Sequence, residues 1–150
     1  MEKMTETNQI TNVAEASVIL FQEDLGKLGY EQKKTHYLKC CEFLGVNPAS
    51  KPFDIIRFNG KEQLYANSNF ANQLSITNNL SCSIVSEGSS DDLYRVTVEV
   101  KGDDGRVSQD YGIVDIKGLV GDRLANAMMK CFTKAKRRAI LAHCGYASVL

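Results

Sequence analysis

The stretch GDRLANAMMKCFTKAKRRAILAHCG, residues 121–145, decides the fold. Apolar residues recur in it every three or four positions, which predicts one amphipathic helix of more than about six turns, roughly 35 Å long. Gly121-Asp122 suits the start, because an acid is favourable near the positive end of the helix dipole, and Gly145 suits the end. The predicted buried stripe consists of Leu124, Met128, Cys131, Ala135, Ala139 and Ala142.

The other side of this helix is basic. Five cations with no acid among them fall within nine residues: Lys130, Lys134, Lys136, Arg137 and Arg138. Like charges three or four residues apart on a helix repel one another, so helix stability does not explain the cluster. A solvated surface is the ordinary interpretation, and a bound polyanion is the functional one.

The overall composition is that of a soluble globular protein. The chain has 150 residues, 43% hydrophobic and 24% charged, with a net charge of zero, and suits one domain with a sizeable core. Its charge is uneven: residues 1–31 hold two cations against six acids, whereas residues 117–138 hold seven cations against one acid. A neutral protein with such a local basic stripe can bind a polyanion there.

Several classes of function lack their signatures in this sequence. The five cysteines are odd in number and form no CxxC pair, which indicates reduced thiols in a cytoplasm. We expect no zinc site, because His36 and His143 are far apart in sequence. No apolar run approaches the length of a membrane span, and no phosphate-binding loop or Ser/His/Asp set is present. The sequence therefore predicts no catalytic residues, no metal, no cofactor and no membrane contact.

The pattern along the chain predicts an α+β fold. The expected helices are 12–25, 31–44 and 68–74 before the long helix, and the expected strands are 53–58, 63–66, one from residue 80, 94–101 and 107–116. Asn59-Gly60 predicts a two-residue hairpin turn, and residues 86–92 read as a polar, mobile loop. In the second helix we expect Tyr37, Leu38, Cys41 and Leu44 to face inward.

The last three strands are expected to form an antiparallel meander. Tyr94, Val96, Val98 and Val100 alternate with polar residues, which is typical of a sheet with one buried face. The long helix is the natural cover for that face. We interpret residues 1–150 as a single domain, with a helical N-terminal region over residues 1–50 and a core over residues 51–150.

Residues 63–145 resemble the Rad52-type single-strand annealing proteins, including those of bacteriophages. The similarity is carried by LYANSNFANQLSITNNLSCSIV at residues 64–85, by VSQDYGIVDIKG at residues 107–118, with its Tyr-Gly pair, and by LANAMMKCFTKAKRRAILAHCG at residues 124–145. The segment from KPFD at residues 51–54 onward also resembles small phage proteins that share the KPFD, LYA and TKAKRR elements.

This resemblance implies a phage recombination protein with a β-β-β-α core. Such a protein binds single-stranded DNA in a basic groove, assembles into homo-oligomeric rings or filaments and pairs complementary strands without ATP. It also implies a single-strand DNA-binding protein as a further partner, and the host cytoplasm as the location if the chain is phage-encoded. The phosphate contacts would fall to Lys117, Lys130, Lys134, Lys136, Arg137 and Arg138.

Tyrosines offer a second kind of contact. Tyr111 is the candidate for base stacking, with Tyr65 and Tyr94 as weaker ones, while a place in the sheet core is the more ordinary role for each.

Two other classes of function remain open. A metal-dependent nuclease is one, because Glu99 with Lys101, and Asp115 with Lys117, each place an acid and a lysine on one face of a strand. The other carboxylate of such a site could come from Asp91, Asp92 or Asp110. A non-enzymatic phage protein that binds a host protein is the other, supported by the acidic N-terminal region and the neutral net charge.

Overall fold

The computed structural model describes residues 24–146 of the chain. The chain forms two compact units, with the boundary between Tyr65 and Ala66. In chain order the helices and strands are α1 (Tyr30–Leu44), β1 (Phe53–Phe58), β2 (Lys61–Ala66), α2 (Ser68–Thr77), β3 (Ser81–Ser90), β4 (Leu93–Lys101), β5 (Val107–Asp115) and α3 (Gly121–His143). Two short 3-10 turns, Leu25–Lys27 and Pro48–Ser50, complete the described secondary structure.

The fold class is confirmed as α+β, with a hairpin of β1 and β2 and a three-strand antiparallel sheet packed against the C-terminal helix. The hairpin turns at Asn59 and Gly60, whose φ angles of 51° and 76° are those of the predicted two-residue turn. The helix predicted for residues 12–25 lies outside the described residues apart from its last two positions. The interpretation of the chain as one domain stays a prediction.

In the first unit, α1 is tied to the hairpin by polar contacts. The Tyr37 hydroxyl donates to the Phe53 carbonyl and accepts from the Phe53 N–H, both at 3.2 Å. Lys33 Nζ lies 2.8 Å from the Glu62 carboxylate, and this hydrogen bond lowers the pKa of Glu62. Leu38 of α1 is 45% exposed, so its predicted inward position is wrong. Cys41 is buried as expected, together with His36 and Cys40.

In the second unit, the strand order is β3-β4-β5, so β4 is central and β3 and β5 are edges. α3 packs on β4 and β5, and α2 packs on α3. The core between them is apolar and fully buried, and it contains Phe70, Val96, Val98, Val100, Cys131, Ala135, Ala139 and Ile140. The middle of the predicted helix stripe is therefore confirmed. Met128 at its N-terminal half and Ala142 near its end are exposed instead.

The predicted mobile loop over residues 86–92 is wrong. β3 continues to Ser90 and stays paired with β4, after a bulge between Ile84 and Ser86. The connection is only Asp91 and Asp92, with φ angles of 53° and 62°. Aspartate tolerates this left-handed conformation better than most residues, so two of them can close a tight hairpin.

Candidate nucleic-acid interface

The position of α3 on the sheet is set by a close approach to β5. The Cys131 thiol donates to the carbonyls of Gly112, at 3.2 Å, and Tyr94, at 3.4 Å. A Cβ on Gly112 would lie 2.8 Å from the Cys131 carbonyl oxygen and 3.0 Å from the Ala135 nitrogen, so only glycine fits there. Burial raises the pKa of the Cys131 thiol, which keeps it a neutral donor. The helix is thereby held in one place along β5.

Three cations line the flank of α3 that lies beside β5. Lys134 Nζ donates to the Ile113 carbonyl at 3.4 Å, and Arg138 Nε lies 3.5 Å from Asp110 Oδ1. Lys130 is exposed one turn before Lys134. These residues follow at four-residue intervals, about 6 Å along the helix axis. We call Lys130, Lys134 and Arg138 the basic flank.

Arg138 shares the flank with a carboxylate. Asp110 faces its guanidinium and also accepts the Tyr111 N–H at 2.8 Å. The Arg138 side chain is 48% exposed, and ion pairs at such positions contribute little net free energy. A phosphate could therefore replace Asp110 as the partner of Arg138 at small cost.

The remaining cations of the predicted cluster lie elsewhere. Arg137 is half-buried, and its Nε donates to the carbonyl of Ala66, just before α2. Lys136 is two residues from Lys134 and hence about 200° around the helix. Burial raises the pKa of the Cys82 thiol on β3, and the charge of Lys136 partly opposes that shift, so Lys136 lies toward β3.

Lys117 lies outside the helix, in the connection between β5 and α3. Its side chain is exposed, and its backbone N–H donates to Asp115 Oδ1 at 2.9 Å. Of the six predicted phosphate-binding residues, the structure thus brings three together on one flank of α3. That these residues contact DNA stays a prediction.

Tyr111 is on the sheet face that α3 does not cover. It is 42% exposed, so the ordinary role in the sheet core does not apply to it, whereas Tyr94 is buried on the other face. The Arg95 guanidinium lies 4.1 Å from the centroid of the Tyr111 ring. The sequence reasoning missed Arg95. Its alternation with buried Tyr94 and Val96 does indicate an outward position, but only the strand register places it beside Tyr111.

The two acid and lysine pairs of the nuclease hypothesis lie at different places on the sheet. Glu99 accepts a hydrogen bond from Gln109 Nε2 at 2.9 Å, while Asp115 is paired with Leu93, six positions from Glu99 along β4. At about 3.3 Å per residue, this separates the two carboxylates by about 20 Å. Over residues 24–146, no group of three or more His, Cys, Asp or Glu side chains could hold a metal ion. The two acid and lysine pairs thus lie apart, and the nuclease hypothesis stays a prediction.

Comparisons with known proteins add no family assignment. No protein-family model matches this chain, and no curated protein sequence matches it. None of the helices in the described part of the chain is both long enough and apolar enough to cross a bilayer. Cys41, Cys82, Cys131 and Cys144 are free thiols. The geometry of α3 and the sheet is therefore the main basis for a functional proposal.

Proposed function

We propose that this protein binds single-stranded DNA along the basic flank and anneals complementary strands without ATP, as a Rad52-like protein of phage recombination. The observation that carries the proposal is the row of Lys130, Lys134 and Arg138 on one flank of a rigid helix. Successive phosphates can be neutralised by such a row, and the helix costs no further ordering when the strand binds.

The chemistry of the row suits annealing. Lysine and arginine contact phosphates without reading the base sequence, so a bound strand keeps its Watson–Crick edges available for a complementary strand. Neither residue type needs a nucleotide cofactor for this task. The annealing step itself is supported by the sequence resemblance of residues 63–145, and the binding step by the basic flank.

A homo-oligomer, ring or filament, is the assembly that we propose. Apolar side chains on α3 support it, because Met129 is 61% exposed, Met128 38% and Phe132 36%. Self-association would remove this surface from water, which is favourable for apolar area. In such an assembly the basic flanks of adjacent subunits would form one continuous track. A single-strand DNA-binding protein is a further partner, and the reduced cysteines suit the cytoplasm.

The first test is the binding of a fluorescent single-stranded oligonucleotide at several salt concentrations, with the oligomer mass measured on the same sample. The logarithm of the binding constant should fall with the logarithm of salt by about 0.7 for every phosphate neutralised, hence with a slope of about −2 or steeper for the basic flank. Two oligonucleotides of equal length and unrelated sequence should bind alike.

The second test is strand pairing without nucleotide. Complementary labelled strands should anneal faster with the protein than alone, whereas non-complementary strands provide the control. Binding of oligonucleotides by a monomer that does not accelerate pairing would contradict annealing but not DNA binding. Failure to bind at low salt would contradict both and would favour a protein that recognises an acidic protein partner.

A further inference from the structure

The open face of the three-strand sheet carries a stacked pair of side chains. The Arg95 guanidinium covers the Tyr111 ring from β4, with 4.1 Å between the guanidinium carbon and the ring centroid. Tyr111 nevertheless stays 42% exposed. Such a pair holds the ring in a fixed orientation and places a positive charge beside it.

The ring is at the edge of the sheet. Tyr111 belongs to β5, and β4 is the only strand paired with β5 among the described residues. The side of the Tyr111 ring that Arg95 does not cover is therefore directed toward the free edge of β5. The basic flank follows the same edge from the opposite face, since Lys134 reaches the Ile113 carbonyl and Arg138 reaches Asp110.

Beside the stacked pair is an open groove of about 670 Å³. Its lining includes Arg95, Thr97 and Ile113 and two acids, Glu87 and Asp91, whereas Tyr111 lies beside the groove and does not line it. The small residues of β3 follow the bulge between Ile84 and Ser86, so this part of the face is shallow and offers hydroxyl groups.

We propose that Tyr111 and Arg95 form a base-stacking site for the same single strand whose phosphates contact the basic flank. This inference rests on the proposed function. A nucleobase stacks on the exposed side of the Tyr111 ring, and the charge of Arg95 favours the adjacent phosphate. The cations on both sides of β5 favour a polyanion over a peptide at the exposed Tyr111 ring, whereas Glu87 and Asp91 make the adjoining groove itself unfavourable for phosphate.

The test separates stacking from charge with two oligonucleotides of equal length, one carrying thymine bases and one abasic. Both carry the same phosphates, so only the first can stack. We expect the wild-type protein to bind the thymine strand about ten-fold more tightly than the abasic strand. In Tyr111→Leu this ratio should fall toward one, with abasic binding unchanged. Tyr111→Phe, which keeps the ring, should retain the ratio.

Tyr30→Leu is the matched control, because Tyr30 is 78% exposed on α1. Circular dichroism and the urea midpoint of each variant confirm that it is folded. A second readout is photo-crosslinking of an oligonucleotide carrying 5-iodouracil, with the attached peptide identified by mass spectrometry. The expected crosslink is to Tyr111.

Two results would overturn the inference, and they differ from each other. If Tyr111→Leu left the ratio of thymine-strand to abasic-strand affinity unchanged, or lowered both affinities equally, Tyr111 would not be a stacking site. The proposal of DNA binding would still stand. No binding of either strand by the wild-type protein would remove the proposed function as well, and would point to a protein partner for this face.

Discussion

On one face of the three-strand sheet, β4 presents Val96, Val98 and Val100, all fully buried under α3. On the opposite face the same strand presents the exposed Arg95 and the half-buried Thr97. The two faces are made by alternate residues of one segment, yet their surroundings differ completely. Substitutions on the covered face should therefore change stability, and substitutions on the open face or along the basic flank should change binding.

The largest expected effect is on the covered face, at Gly112. Gly112→Val would force a side chain against the Cys131 carbonyl oxygen, which lies 2.8 Å from an ideal Cβ position. We expect a loss of about 3 kcal/mol or more in the free energy of unfolding, because neither the helix nor the strand backbone can move without breaking other contacts. Urea denaturation followed by circular dichroism measures it.

Gly88→Ala is the control on the other face. An added Cβ at Gly88 meets nothing within 4 Å, and the backbone there needs no left-handed φ. Its unfolding free energy should stay within about 0.5 kcal/mol of the wild-type value. Equal stability of the wild-type protein and Gly112→Val would mean that α3 is not packed closely on β5.

The next effect comes from a pair of neighbours on β4. Val98→Ala should lower the unfolding free energy by about 2 kcal/mol, because Val98 is fully buried and its loss leaves a cavity. Thr97→Ala, on the open face, should cost less than about 0.5 kcal/mol. Similar losses for both variants would contradict the division between the faces.

Two adjacent arginines of α3 should also differ, one affecting stability and the other DNA binding. Arg137→Ala removes a donor to the Ala66 carbonyl and should cost about 1.5 kcal/mol of stability. Arg138→Ala breaks only an exposed pair with Asp110, so it should change stability by less than about 1 kcal/mol. Its effect should appear instead as weaker binding of single-stranded DNA. Measuring the unfolding free energy and DNA binding of both variants tests this. Weaker DNA binding by Arg137→Ala and a larger loss of stability in Arg138→Ala would contradict the roles given to the two residues.

The smallest expected effect is a gain in affinity for single-stranded DNA. Asp110→Asn removes a carboxylate that competes with phosphate for Arg138, while the amide oxygen can still accept the Tyr111 N–H. Affinity for single-stranded DNA at low salt should rise about three-fold, as expected for an exposed ion pair. Fluorescence anisotropy measures it. Asp104→Asn is the control, because it makes the same charge change beside Arg106 at the β4–β5 turn. Its affinity for single-stranded DNA should rise less, and an equal rise would indicate a general charge effect.

Much of this division can be predicted from the sequence. The alternation from Tyr94 to Lys101 alone specifies the covered and open faces of β4, and Asn59-Gly60 specifies the first hairpin. The strand conformation of residues 86–90 was not predicted, because serine and glycine have low strand propensity. Pairing with β4 holds these residues in β3.

The candidate site was harder to predict, for two reasons. The sequence did contain the signal that separates Lys136 from Lys134, since two residues are about 200° apart on a helix. The roles of Arg137 and Arg95 depend instead on contacts between distant segments. Arg137 bonds to Ala66, far away in sequence, and Arg95 meets Tyr111 only through the register of β4 with β5. Spacing within one element carries no such information.

The most direct test of the account compares the basic flank with lysines outside it, by the salt dependence of binding to single-stranded DNA. Lys130→Gln combined with Lys134→Gln removes two charges from the basic flank, and Lys39→Gln combined with Lys136→Gln removes two charges elsewhere. The first pair should flatten the slope by about 1.4, that is about 0.7 for each lost phosphate contact, while the second pair should leave it unchanged. Equal slopes for the two double variants would contradict the assignment of the basic flank.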